Sequence, residues 1–415
     1  MSRLLPAGAA LAAAVTMSLT AASADAATTR TPFMLGASGY GSQVSGGQIP
    51  VGSGTTGKAI IGCTNKAGLK RTNATTSVAI PGGYGTLDGV KSTASTVQKG
   101  GTVSSTATHN IAKVVLAQSA LGELDLTAVH SQARAWHDAN GYHSTSKATL
   151  GGISFTVGGS THTYPIPSPG QSQAIPGLGS LSLGGPKNSH GAHQASAEVA
   201  GVKLHIDSSN TTITIADAQA HISDRTLNGI FQGVGSAVQA KAVQNYAGVD
   251  PEPVLHMPCQ GTGGKVLQRS GASAPLSTSS LTASGLSTHE QGSQTATGAK
   301  GYEEGDISHL DLGGGQLVVD ALVGKVNVAW NKTTHKWVVN SKGTKAGSIT
   351  AGGKSYSLPA LDGLSIPSVA TFKTDVVHRG RHGGSVTALQ IKLLDGSGAV
   401  INLGNATLRI NPFRK

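Results

Sequence analysis

Short runs in which apolar and polar side chains take turns dominate this chain. In Leu124-Asp125-Leu126-Thr127-Ala128-Val129-His130 the alternation is partial, the period of a strand with one buried face. Leu317 to Val323 and Val326 to Trp330 are denser in β-branched residues and predict strands more firmly. Ile111–Leu116, Ile153–Val157, Val199–Ile206 and Thr211–Ile215 add further strands, and Gly158-Gly159 marks a hairpin turn. Ile349 to Pro359 reads as a second hairpin, and Ala388–Leu394 with Ala399–Leu403 as a third, turning at Asp395-Gly396-Ser397-Gly398. One stretch breaks the pattern. Leu227 to Tyr246 has few breakers after Gly235 and predicts a short helix, followed by Val249-Asp250-Pro251-Glu252-Pro253 as a stiff connector.

The pattern occurs twice. Trp136 answers to Trp330 and Gly158-Gly159 to Gly352-Gly353 at an offset of 194, Ile166-Pro167 to Leu358-Pro359 at 192, and Asp207 to Asp395 and Ile222 to Ile410 at 188. Cys63 and Cys259 stand 196 apart at matching positions. The expected architecture is all-β: two tandem, homologous, antiparallel β-sandwich-like domains produced by internal duplication and joined by one short helix. A β-solenoid is the alternative, disfavoured because no repeat of 20 to 30 residues is visible. The expected segments are 27–62 with a leading strand, 63–222 as the first repeat, 223–258 as the linker with the helix, and 259–415 as the second repeat.

Arg3, the apolar run Leu4 to Leu19 and the Ala24-Asp25-Ala26 site predict a secretory signal peptide in residues 1–26, cleaved after Ala26. Export predicts an oxidising compartment in which two cysteines pair. With 58 glycines, 12% charged and 38% hydrophobic residues, the chain can bury a core of small side chains and is no highly charged disordered polymer. The formal charge of +11 serves solubility in the simplest reading and weak attraction to anionic envelope polymers in the functional one. The basic residues are scattered along the sequence, which argues against specific nucleic-acid binding.

The signal peptide, the opening Gly36-Ala37-Ser38-Gly39-Tyr40-Gly41, Cys63-Thr64 ahead of a Ser/Thr/Ala-rich block, the Leu124 to Trp136 strand, the Ile153 to Pro167 hairpin, Ile175 to Leu183 and the block Ala195 to Ile206 together resemble the choice-of-anchor P family of secreted bacterial proteins. The resemblance implies an exported, β-rich protein, often held at the cell surface by a C-terminal anchor, with no assigned activity. Ile410 to Lys415 departs from it, carrying neither a sorting pentapeptide nor a hydrophobic tail.

Among candidate sites the cysteine pair leads. Residues at equivalent positions of two copies packed about a twofold axis lie symmetrically about it, so a Cys63–Cys259 bridge is expected, with a covalent homodimer or two separate thiols as alternatives. Trp136 and Trp330 are candidate ligand platforms set against ordinary core or rim packing. His190-Gly191-Ala192-His193 and His378-Arg379-Gly380-Arg381-His382 read as exposed loops without the further ligands a metal needs. Glu303-Glu304-Gly305-Asp306 is the one acidic cluster and reads as a solvated loop. There is no Gly-x-Ser-x-Gly elbow and no P-loop. No cofactor, metal or catalytic residue is expected. The favoured function is a secreted, non-catalytic structural or surface-associated interaction protein of the bacterial envelope or medium, with an anionic envelope polymer or another surface protein as its partner. An extracellular hydrolase of envelope polymers and a binding module for anionic glycopolymer are the alternatives.

Overall fold

The computed structural model describes residues 28–46, 55–80, 83–118, 122–241, 249–275, 281–367, 370–394 and 399–413. It is all-β: of the described residues 75% lie in strands and none in an α-helix. The first half runs β1 (Thr29–Gly46), β2 (Ala59–Ala67), β3 (Lys70–Ile80), β4 (Gly85–Lys99), β5 (Thr102–Gln118), β6 (Gly122–Asp138) and β7 (Gly141–Thr149). It continues through β8 (Gly152–Val157), β9 (Ser160–Tyr164), β10 (Ser172–Ile175), β11 (Gly179–Leu183), β12 (Lys187–Gly191), β13 (Gln194–Ile206) and β14 (Thr211–Ser223). The second half opens with β15 (Gly229–Lys241), β16 (Val249–His256), β17 (Leu267–Pro275), β18 (Leu281–Thr295), β19 (Gly298–Leu312), β20 (Leu317–Asn331) and β21 (Lys336–Asn340). It closes with β22 (Ser348–Ala351), β23 (Lys354–Ser355), β24 (Ser365–Ile366), β25 (Ala370–Gly380), β26 (Gly383–Leu393) and β27 (Val400–Pro412).

Each half folds into two antiparallel sheets, neither closed into a barrel. In the first half the order is β3-β4-β5-β6-β8-β9 with β7 also on β6, and β10-β11-β13-β14-β1-β2 with β12 also on β13. In the second it is β17-β18-β19-β20-β22-β23 with β21 also on β20, and β24-β25-β26-β27-β15-β16. Strand for strand this is one topology written twice, β25 doing the work that β11 and β12 share. The register repeats too: Leu35 faces Ile222 across β1 and β14, and Phe231 faces Ile410 across β15 and β27. The opening segment is therefore integral to its unit, since β1 lies between β14 and β2 inside a sheet rather than leading up to one. The apolar faces of the two sheets meet in one continuous core in the first half, with Leu35, Leu124, Leu204 and Ile213 wholly enclosed. In the second half the core is split in two, one part around Leu322, Phe372 and Leu403 and the other around Phe231, Trp330 and Leu408.

The partial alternation at Leu124–His130 has a local cause. Ala128 sits at φ 50° and its counterpart Ala321 at φ 52°, both in the left-handed region. At each of them the pairing skips one residue on both strands, from Thr127 to Val129 and from Asp320 to Leu322. The skip resets the phase: in β20 the buried positions are Leu317 and Val319 before Ala321, then Leu322, Val326, Val328 and Trp330 after it. Such a residue bends a strand without taking its apolar side chains off the core. The same line of kinks crosses β14 at Ala216 (φ 57°) and β27 at Gly404 (φ 61°). There the two halves exchange residues: a Cβ on Gly201 would lie 2.9 Å from that of Ala216, and one on Gly404 would lie 3.0 Å from that of Ala388. Each kink has room for one methyl group, and the two halves put it on opposite strands.

Three sequence expectations are corrected. The stiff connector Val249 to Pro253 is the start of strand β16, which pairs with β15. The helix over Leu227 to Tyr246 is strand β15 as far as Lys241, and residues 242–248 lie outside the described residues. The run Ser236 to Lys241 has helical residues, but β15 supplies the hydrogen-bonding partner that β27 needs, and that pairing outweighs a weak local propensity. The acidic cluster Glu303-Glu304-Gly305-Asp306 is the middle of β19, not a loop. The turn at Asp395-Gly396-Ser397-Gly398 lies outside the described residues, as does the signal peptide.

Because Ala128 and Ala321 are exposed and hold a conformation that costs any residue with a Cβ, Ala321→Gly is expected to raise the unfolding free energy by about 0.5–1 kcal/mol. Ala321→Val, β-branched at positive φ, is expected to lower it by more than that. Urea unfolding of the two variants reads the difference, and a glycine less stable than the parent would contradict the assignment.

Candidate functional site

The two halves meet where their equivalent cysteines bond. Cys63 lies on β2 and Cys259 three residues after β16, with Cα atoms 5.2 Å apart. Met34, Ile230 and Phe413 pack around the bridge. A bond between the same residue of two copies brings equivalent segments to either side of it, so that identical copies would offer it like surroundings. The flanking residues break that likeness. On one side Gly36 pairs with His221 across β1 and β14, and on the other Gln232 pairs with Arg409 across β15 and β27. A Cβ on Gly36 would lie 2.1 Å from the His221 ring, so the glycine is what lets the imidazole turn inward, where its Nε2 lies 2.9 Å from Cys259 Sγ. Burial pushes the His221 imidazolium down to about 4, which leaves the ring neutral at physiological pH. Across the axis Gln232 fills the corresponding space, donating from Nε2 to the Cys63 carbonyl at 2.7 Å.

With Gln232 in that place, Arg409 is left on the open side, and a cleft of about 790 Å³ forms between the halves. Arg30, Lys66 and Arg71 enter it from β1, β2 and β3, Arg381 from the β25–β26 turn and Arg409 from β27. Among the described residues its lining holds these five cations and no carboxylate. Trp337 on β21 forms an aromatic wall, stacked on His382 with centroids 4.5 Å apart and fixed by an Nε1–H donated to the Ile410 carbonyl at 3.1 Å. From His382 a hydrogen-bonded row runs to Asn411 (3.0 Å), to Gln232 (3.2 Å) and on to the Cys63 carbonyl. The cleft wall is thereby tied to the disulfide.

The two tryptophans singled out from the sequence take other roles. Trp330 is 5% exposed and packs in the core against Trp337, its cross-strand neighbour, which takes it out of use as an open platform. Trp136 stacks on His143, lies under the Arg134 guanidinium and donates to Asp138, in the first half and away from the cleft lining. The ring that does face the cleft, Trp337, has His143 as its counterpart, so the duplication itself gave no hint of it. Among the described residues neither His190–His193 nor His378–His382 falls in a group of three metal ligands, but Arg381 and His382 line the cleft.

Two clusters of ionisable groups lie elsewhere, on β18 and β19. His289, Glu304 and Asp306 share one face, with Nδ1 of His289 2.6 Å from Asp306, and Lys325 2.6 Å from Glu304. Glu304 is thus paired with a lysine and Asp306 with an imidazole, while burial, then Glu304, raises the Asp306 carboxyl to about 6. Glu290 and Glu303 point the other way, 1% and 0% exposed, cross-strand partners where the first half pairs Ala94 with Ala107. Gly233 makes room for Glu303, since a Cβ there would meet Oε1 at 2.1 Å. Neither oxygen of Glu303 has a hydrogen-bond partner. Burial, then the neighbouring Glu290, holds the Glu303 carboxyl well above the usual carboxylate range, and burial raises Glu290 to about 7.

Among the described residues no helix is long and apolar enough to cross a membrane. No family model and no curated protein matches the chain. Among solved structures, a mutant of the vaccine antigen transferrin binding protein B from Haemophilus parasuis Hp5 is 8% identical over 93% of this chain and 78% of its own, with a TM-score of 0.12, a likeness too slight to carry any argument.

Protonated in the fold and ionised when unfolded, the Glu290–Glu303 pair stabilises fully below about pH 4.5, and that stability is lost as pH rises through about 7. Glu303→Gln keeps the volume and removes a titrating group, so the variant is expected to be the more stable protein at pH 8 and to lose less stability between pH 5 and pH 8. Denaturant titrations at the two pH values check this. Identical pH dependence in both proteins would contradict it.

Proposed function

We propose that this chain is a secreted, non-catalytic binding protein of the cell surface that holds an anionic glycopolymer in the cleft between its two halves. The observation that carries the reading is the convergence of Arg30, Lys66, Arg71, Arg381 and Arg409 on one cleft whose lining, among the described residues, has no carboxylate. Unopposed cations set in a concave wall raise the local concentration of an anionic chain and bind it through charge. The planar guanidinium suits the phosphate or carboxylate groups of such a polymer, which it can grip with two hydrogen bonds. Trp337 and His382 add a stacked aromatic surface of the kind against which sugar rings pack. A disulfide agrees with a compartment outside the cytoplasm. On this reading the chain is exported by its first 26 residues and belongs with the choice-of-anchor P type of surface protein that its sequence resembles.

The test is direct binding of a glycerol-phosphate polymer and of a polyuronate to the purified protein, with a neutral glucan and single-stranded DNA as comparison arms. The two anionic glycopolymers are expected to bind at 0.1 M salt and to be released near 1 M, as the screening length falls from about 10 Å to about 3 Å. Arg381→Glu and Arg409→Glu together are expected to weaken binding on the order of tenfold or more, and Arg225→Glu, outside the cleft, to leave it unchanged. Equal loss from both variants, or tighter binding of DNA than of either glycopolymer, would refute the assignment.

A further inference from the structure

The disulfide has an unexplained neighbour. His221 is partly buried at the junction, its Nε2 points at a sulfur that is already bonded, and Gly36 is kept free of a side chain so that it can. The counterpart position carries Arg409 and faces the cleft instead. In the bridged protein His221 Nε2 can hydrogen-bond the Cys259 sulfur, and the same placement serves a metal once the two sulfurs are thiolates. Cys63 Sγ, Cys259 Sγ and His221 Nε2 all lie within 4.8 Å of one another. Two thiolates and an imidazole are the donor set of a thiophilic d10 cation, whose bonds run about 2.3 Å to sulfur and about 2.0–2.1 Å to nitrogen, so the two sulfurs, bonded to each other here, must part to roughly 3.8 Å to hold one tetrahedral ion.

We infer that the junction is a latent metal site: once the bridge is reduced, Cys63, Cys259 and His221 bind one zinc ion. The reductant is a low-molecular-weight thiol. Two such thiols pass two electrons and two protons to the disulfide and leave as their own disulfide, giving Cys63 and Cys259 as free thiols. The zinc ion then displaces the two thiol protons and takes the lone pair of His221 Nε2, the ring proton passing to Nδ1. A water or a group from the cleft completes the fourth position, because Cys63 is part of the cleft lining. The bond and the ion thus exchange places as the clasp between the halves, one in oxidising and one in reducing surroundings. Sequence spacing could not indicate this site. Cys63 and Cys259 lack any close pair of ligands in the chain, and the third donor, on β14, stands 38 positions from the nearer of them.

The experiment compares Zn²⁺ and Co²⁺ binding by the full chain before and after phosphine reduction under nitrogen, with His221→Gln and Cys63→Ser treated alike. Reduced parent protein is expected to bind one ion per chain, to show sulfur-to-cobalt charge-transfer absorption, and to melt at a higher temperature with zinc than without. The oxidised protein and reduced Cys63→Ser are expected to show none of these, and reduced His221→Gln to bind at least tenfold more weakly than the parent. Binding by reduced His221→Gln as tight as the parent's overturns the proposal. That holds whatever the reduced chain's fold, since an unfolded chain would bind through its cysteines without regard to residue 221. No binding by the reduced parent overturns it as well.

Discussion

Everything distinctive in this molecule depends on one contact: two copies of a β-unit joined at the same residue, so that Cys63 bonds to Cys259 and the surroundings of one cysteine are a version of the other's. Two copies related this way must offer equivalent side chains on either side of the joint. Divergence after duplication is free to make them unlike. Here the Gly36–His221 pair closes one side with an imidazole turned inward. The Gln232–Arg409 pair closes the other with an amide and leaves a guanidinium outside. One exchange of residues about the axis therefore accounts for both a sealed flank beside the sulfurs and an open basic cleft. Neither feature belongs to one unit alone, and neither would exist if the copies had stayed identical.

The sheets that carry this joint are bent by residues most strands avoid. Left-handed positions at Ala128, Ala216, Ala321 and Gly404 advance the side-chain phase by one, so long strands turn while their apolar faces stay on the core. The strain of a non-glycine residue there is small against the apolar surface that a flat sheet would leave exposed. The methyl that moves from β14 in one half to β26 in the other indicates that the space at the kink, rather than the identity of the residue, is what has been kept.

Much of this was legible from residues alone. The strand pattern, the duplicated topology and the pairing of the cysteines all follow from alternation and offset, because they are local or are stated twice. What was not legible fails for identifiable reasons. Ser236 to Lys241 looks helical because propensity is local while the demand of β27 for a partner is not. Leu124 to His130 looks like an imperfect strand because a phase reset at Ala128 is invisible without φ. The five cleft cations look scattered because they lie up to 379 positions apart, Arg30 to Arg409, and only the fold gathers them. Trp330 was marked by its repeat partner. Trp337, which faces the cleft, stands opposite a histidine and so left no such mark.

The convergence of cations from both halves on one anion-binding cleft is the central claim. It is tested most directly by arginine-selective chemical modification, read residue by residue by mass spectrometry, with and without a glycerol-phosphate polymer. The account predicts that Arg30 and Arg71 from the first half and Arg381 and Arg409 from the second are shielded together, while Arg134 and Arg225 react as before. Shielding confined to one half, or spread evenly over all six, would contradict it.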